Sequence, residues 1–302
     1  MRLLEIIKFL AWPPVIFDVG PNQAGVTVIH FPLWLNSNIP MFNIGDIEIF
    51  KMTDGEIRDW FHMDDVKYDD KGRISSMTSL PGNYHSGEIG IDLDRQMNYI
   101  NSNYIARSPS VDAAVIVNRS LKLWSMSCTS FYIGKRNKSS HFINPPSYYG
   151  KEALTIGDDD VVGINLLWIE VKQKAGDGRF EVMIKLFTDA LSDSRRNDSR
   201  FIDCMTILEM LFLPKQDSEL SYRFSLRFAK IHKELTGTNI EESFKFGKEI
   251  YNDRSKILHA GKLELAENNI ERLVEVTRVM LVSYIKDSAK FSDESLNKAC
   301  LV

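Results

Sequence analysis

Arg254 and His259 stand five positions apart in the run Asn252-Asp253-Arg254-Ser255-Lys256-Ile257-Leu258-His259-Ala260-Gly261, with a polar residue directly after the arginine. Arginine offers a planar fork of donors that fits a phosphate, and histidine moves protons near neutral pH. Together they are the minimum equipment for cutting RNA without a metal, because the nucleophile, a 2′-hydroxyl, belongs to the substrate. In such a reaction His259 acts as general base or acid. Arg254 holds the phosphate and stabilises charge developing on its oxygens. The need for a 2′-hydroxyl selects RNA over DNA. Ser255 and Asn252 are polar neighbours that could bond the phosphate or the arginine, or could equally be solvated helix residues. On an ideal helix five positions turn through about 140° and rise about 7.5 Å, so the two side chains do not stack on one face. They could still line one groove, more so if a second copy of the helix faced it, since an isologous contact repeats every residue about a twofold axis. The plain alternative is a helix end at which Arg254 pairs with Asp253 or Glu249 and His259 only caps the chain before Gly261.

The elements that must carry these residues are helical. The spacing predicts a helix over Ile240–His259, begun after Thr238 and Asn239 and ended by Gly261. Before it, Phe180–Leu191, Phe201–Leu213 (stopped by Pro214) and Glu219–Leu235 (begun after Asp217 and Ser218, ended by Gly237) read as helices, and Leu265–Ile285 follows it. Ile164, Leu167, Trp168 and Val171 fall at helical spacing behind the capping aspartates Asp158–Asp160, although Trp-Ile-Glu-Val also reads as a final strand. Short connections predict an antiparallel bundle. The tail after Lys286 is polar and reads as frayed.

The first half reads as β-rich. Candidate strands are Leu3–Leu10, Val26–Trp34, Asp46–Met52, Glu88–Asp92, Ala113–Val117 and Leu121–Ile133, short runs of β-branched and aromatic residues between turn signals. The fold class is therefore α+β, with a β-rich domain over 1–157 and a helical domain over 158–302.

Composition sets further bounds. The chain has 302 residues, 44% hydrophobic and 26% charged, with a net charge of -4. These are values of a globular protein, without the overall basic field of a dedicated nucleic-acid binder. Over 201–302 there are 15 basic and 16 acidic residues, so capture of RNA must be local, which favours a nuclease that needs a trigger or a bound RNA partner. Three cysteines, Cys128, Cys204 and Cys300, suit a reducing cytoplasm and form neither a disulfide framework nor a zinc site. Met1–Trp12 is interrupted by Glu5 and Lys8, so no signal peptide is expected, and no apolar run is long enough to span a membrane.

Three blocks in the second half carry a family resemblance. They are Phe201-Ile202-Asp203-Cys204-Met205-Thr206-Ile207-Leu208-Glu209-Met210-Leu211-Phe212-Leu213-Pro214, Glu219-Leu220-Ser221-Tyr222-Arg223-Phe224-Ser225-Leu226-Arg227, and the Ile250–Gly261 run that holds Arg254 and His259. In this order residues 179–286 resemble the HEPN domains, in particular the Apea-like group of bacterial proteins. The resemblance covers about a third of the chain. It implies a helical bundle that forms a homodimer, a metal-independent endoribonuclease site shared at the joint, and no cofactor. It also implies a role of the kind many such proteins have in toxin or antiphage defence. Some HEPN domains have lost activity, leaving a helical interaction module. The resemblance further places Glu209 on the helix behind the signature, where it would orient Arg254.

Weaker signals stand beside it. Arg223, Arg227 and Lys230 recur along one helix face as a basic stripe that, with Lys256, could track a phosphate backbone. Against this, Glu219 lies four residues before Arg223, an ordinary surface pairing. Asp158, Asp159 and Asp160 lack the spacing of a calcium loop. His30, His62, His85 and His141 are scattered, so no metal cluster is expected. Trp34, Trp60 and Phe61 read as core rather than base platforms. Gly20, Gly25 and Gly45 do not form a phosphate loop. Residues 1–157 hold no motif with its own chemistry, and a recognition or regulatory role, binding a trigger or partner protein, is expected from position alone.

Overall fold

The computed structural model describes residues 29–33, 35–51, 63–68, 74–79, 104–125, 154–191, 195–214, 219–260 and 267–300. The expected strands Leu3–Leu10 and Glu88–Asp92, the helix end at Gly261 and the caps Asp217 and Ser218 lie outside them. The class is α+β. The described residues fall into two compact units, one with those up to Leu121 and 154–168, the other with 122–125 and those from Ile169 onward.

The first unit is built on strands β1 (Ile29–Leu33), β2 (Leu35–Ser37), β3 (Met41–Ile44), β4 (Ile47–Lys51), β5 (Met63–Tyr68), β6 (Ile74–Ser79), β7 (Tyr104–Ser108) and β8 (Leu154–Ile156). Four of them form an antiparallel sheet in the order β1-β7-β4-β3, β2 pairs parallel to β8, and β5 pairs antiparallel to β6. Alternation drives the β3–β4 hairpin: Phe42, Ile44, Ile47 and Ile49 are buried while Met41 and Asn43 face out. Its turn needs Gly45, whose φ of +57° is left-handed and whose missing Cβ leaves room for the Trp168 ring. Asn165 fixes the turn by accepting from the Gly45 N–H at 2.8 Å.

Helix α1 (Val111–Trp124) corrects the sequence reading, which put strands at Ala113–Val117 and from Leu121 onward. Ala114, Val117 and Leu121 are buried at i, i+3 and i+7, a helical period that outweighs the β-branched composition. The residues after 125 lie outside the described set.

Helix α2 (Asp158–Lys174) opens on its three aspartates, and the Asp160 carboxylate accepts from the Gly157 N–H at 2.9 Å. The second unit continues with α3 (Gly178–Ala190), α4 (Asn197–Phe212), α5 (Leu220–Thr236), α6 (Ile240–Ala260) and α7 (Glu267–Lys286). Helix α4 is the central one, packed on α3, α5, α6 and α7. Its Cys204, Met205, Ile207, Leu208, Leu211 and Phe212 are all buried. Phe212, Phe224 and Phe228 meet edge-on or stacked with ring centroids 5.8–5.9 Å apart.

The segment after Lys286 is also a correction. It is not frayed: a 3₁₀ turn (Ser288–Phe291) and helix α8 (Asp293–Cys300) follow, with Phe291 and Leu296 fully buried. What holds them is Arg227, only 1% exposed. Its guanidinium donates to the Phe212 carbonyl at 2.7 Å, to Asp293 at 2.8 Å and to Asn297 at 2.5 Å. Among the described residues, no helix is long and apolar enough to cross a membrane.

Candidate active site

Helix α6 starts with Asn239 accepting from the Glu241 N–H at 2.7 Å, and Glu241 and Glu242 occupy its positive end. Its inward stripe is Ser243, Gly247, Ile250, Arg254 and Ile257, at i, i+4, i+7, i+11 and i+14. Every member but Arg254 is buried. The arginine thus occupies a core-facing position, and a charge there needs a partner.

Glu209 of α4 supplies it. Arg254 Nη2 lies 2.9 Å from Glu209 Oε2, with the two side chains 28% and 19% exposed. The ion pair therefore joins two helices rather than neighbours on α6, so neither Asp253 nor Glu249 is its partner. Asp253 instead holds Lys256 at 2.8 Å. Burial pushes the Glu209 carboxyl above the ordinary carboxylate range, and the Arg254 charge pulls it only part of the way back. The Arg254 Nε is enclosed and makes no hydrogen bond among the described residues, so the guanidinium keeps an unspent donor.

His259, Ser255 and Asn252 lie off the inward stripe and are exposed. Lys256 is exposed as well, its ammonium drawn to Asp253. Helix α6 thus presents an anchored cation on one side and an accessible imidazole further along. Arg223 is paired with Glu219 at 3.5 Å, as i,i+4 spacing allows. Arg227 is not available to any substrate. Its burial in the α8 network removes the middle of the expected basic stripe, because the guanidinium is needed to satisfy the last carbonyl of α4.

Sequence reasoning missed Tyr251, one turn before Arg254. Its ring packs on Phe224 at 5.4 Å, and its hydroxyl is pushed up by burial and then by the Glu209 charge, with Arg254 acting the other way. The signal was present: Tyr251 and Arg254 are three apart and so share a helix face. Cys204, by contrast, has no chemistry to offer, since full burial pushes its thiol up to about 12.

A depression of about 270 Å³ opens beside this pair of helices, lined by Arg195, Asp198, Ser199, Ile202, Asp203 and Ile257. Comparison of the chain with protein-family models, with curated proteins and with solved structures finds no match in any of the three.

Proposed function

We propose that the protein is a metal-independent endoribonuclease of the HEPN type. The observation that carries the reading is the division of labour on α6: Arg254 is anchored by Glu209 from α4, while His259 five residues on is open to solvent. A cation held by a second helix is pre-positioned, and pre-positioned charge is what stabilises a developing oxyanion.

In the proposed reaction the 2′-oxygen of the substrate attacks the adjacent phosphorus, a new P–O2′ bond forms and the P–O5′ bond breaks. The products are a 2′,3′-cyclic phosphate and a free 5′-hydroxyl. His259 moves a proton, taken from the 2′-hydroxyl or given to the leaving 5′-oxygen. Arg254 neutralises the non-bridging oxygens, and Ser255 and Asn252 are near enough in sequence to bond the same phosphate. The protein works as a homodimer through its helical unit, in which a second copy of α6 supplies the other proton carrier. The RNA-cutting activity belongs to a bacterial antiphage or toxin-type system in the cytoplasm, with the β-rich unit sensing the trigger.

A second reading has its own support. The Arg254–Glu209 pair also locks α6 to α4, as a structural ion pair would, so a non-catalytic helical interaction module fits that contact equally well. The two readings part on a single oligonucleotide. Incubated with the protein in EDTA, an all-ribose strand yields cyclic-phosphate ends and the same strand with 2′-deoxyribose stays whole. No cleavage of either strand, at any protein concentration that dimerises, would leave only the interaction module.

A further inference from the structure

Glu209 of α4 meets Arg254 of α6, and Ile202 of α4 and Ile257 of α6 line one depression. Stepping back from Glu209 to Ile202 on α4 matches stepping forward from Arg254 to Ile257 on α6, because each step leads from the ion pair to the wall of the depression. The depression therefore lies from the ion pair toward the C-terminal end of α6, at Ile257; His259, two positions on, points about 200° away from Ile257, so it shares that end of the helix but not that face. At about 270 Å³ it is smaller than the pockets of roughly 300–1,000 Å³ that enclose drug-sized ligands. It has room for one flat ring and little more.

Its lining specifies the kind of ring. Ile257 is buried and Ile202 half-buried, giving an apolar floor. Asp203 is 9% exposed. One carboxylate oxygen, Oδ2, accepts from Arg195 Nη2 at 2.9 Å, and Oδ1 has no hydrogen bond among the described residues. Asp198 stands at the same wall, its oxygens taken by the Ser199 N–H at 2.9 Å and by Arg196 at 2.6 Å. Each carboxylate is already paired with an arginine, Asp203 with Arg195 and Asp198 with Arg196, so the wall has no surplus positive charge to hold a phosphate. A ring with donors along its edge is attracted instead, since ionised carboxylates only accept. Guanine is the RNA base that shows two adjacent donors, N1–H and N2–H, and single-stranded RNA exposes that edge to a protein.

We propose that this depression is a base subsite for a guanine of single-stranded RNA beside the cleaved linkage. The Asp203 carboxylate accepts from the Watson–Crick edge, Ile202 and Ile257 lie against the ring, and Arg195, at the rim with 40% of its side chain exposed, meets a neighbouring phosphate. The placement beside the cleaved linkage rests on the ribonuclease reading; the affinity for guanine does not.

The test measures binding alone. Short oligonucleotides with 2′-deoxyribose throughout, which the proposed chemistry cannot cut, carry one central guanine or one central adenine, and fluorescence anisotropy gives their affinities for the full chain. The guanine strand should bind about tenfold or more tighter, the discrimination of one good two-bond pair. Asp203→Asn offers one donor and one acceptor, so the preference should vanish or turn toward adenine. Because Asp203 is ion-paired, Ile202→Trp serves as a second variant that fills the depression and should bring the guanine strand down to the affinity of the adenine strand, with the thermal midpoint kept. Equal affinities for the two strands, or undiminished binding of the guanine strand to Ile202→Trp, overturn the proposal and leave cleavage by Arg254 and His259 standing. Guanine binding by a protein that cuts no RNA would sink the nuclease and keep the subsite.

Discussion

Arg254 on α6 and Glu209 on α4 lie 2.9 Å apart across two helices, 45 residues apart in the chain, and each is less than a third exposed. The same contact sets the direction of the candidate phosphate-binding cation and ties the C-terminal half of α6 to the central helix. Removing either partner leaves a mostly enclosed charge without its hydrogen bond. Glu209→Ala and Arg254→Ala should each lower unfolding free energy by roughly 1.5–3 kcal/mol. In urea titrations the double variant should cost at least about 1 kcal/mol less than the two together, because contacting residues are not additive. Additive losses would mean the pair contributes nothing as a pair.

Helix α8 should matter more than its polar sequence suggests. Deleting 293–302 strips Arg227 of Asp293 and Asn297 and removes buried Leu296. A buried charge that loses its partner costs about 3 kcal/mol or more, which corresponds to a fall of roughly 6–12 °C in thermal midpoint for a domain of this size. An unchanged melting curve would show that the tail is frayed after all.

Acid should weaken the α5–α6 hairpin through His232. The ring is buried, stacks on Phe228 at 5.1 Å and holds the Ser243 hydroxyl at 2.9 Å. Burial and then the Arg272 charge lower its proton affinity below the ordinary histidine value. With a folded-state pKa below the unfolded value of about 6.5, the unfolded chain takes up the proton first. Stability is thus complete above that pH and is lost as pH falls from there through the folded value. Denaturant midpoints between pH 7.5 and 5 should show this decline, and His232→Gln should flatten it. Glu209 works in the opposite sense, since its raised folded-state value makes its contribution shrink as pH rises through that value.

Close approach of α5 and α6 depends on Gly247. A Cβ there would meet the Phe228 ring at 3.1 Å and Ser225 Cα at 3.2 Å, the latter a backbone atom that cannot turn aside. Gly247→Val should therefore destabilise by about 1–3 kcal/mol, the cost of overpacking. Gly247→Ala should cost less, because alanine recovers about 1 kcal/mol of helix propensity. Far-ultraviolet circular dichroism during thermal melts distinguishes the two.

Much of the second unit could be read from local pattern, because helix period and stops are local properties. Gly237 ends α5 where expected, and the stripe Ser243, Gly247, Ile250, Ile257 marks the inner face of α6. What the pattern could not show was which charges turn inward. Arg227 has surface spacing with Arg223 and Lys230, yet its partners lie 66 and 70 residues away. Phe291 and Leu296 look isolated in a polar tail, and only that tertiary network buries them. In the first unit, β1 pairs with β7 across more than seventy residues, a choice no local window records. Val115, Ile116 and Val117 make Ala113–Val117 read as a strand because β-branched residues suit both settings, and burial at every third and fourth position decides between them. At the candidate site, Arg254 and His259 stand out by residue type and spacing, whereas Glu209 comes only from the family resemblance, and the structure pairs it with Arg254. Tyr251 could be found from its spacing to Arg254, but the Asp203 wall, which joins α4 to Ile257 of α6, needs the tertiary packing.

The most direct measurement is the rate at which purified wild type, Arg254→Ala and His259→Ala cut a 5′-labelled RNA in EDTA, with the product ends identified. The account predicts cyclic-phosphate products from the wild type and a loss of at least about a hundredfold for each variant, the scale of one general acid–base group or one oxyanion donor, with Asp253→Asn cutting normally. Equal cutting by all four proteins, or none by a folded, dimeric wild type, would contradict it.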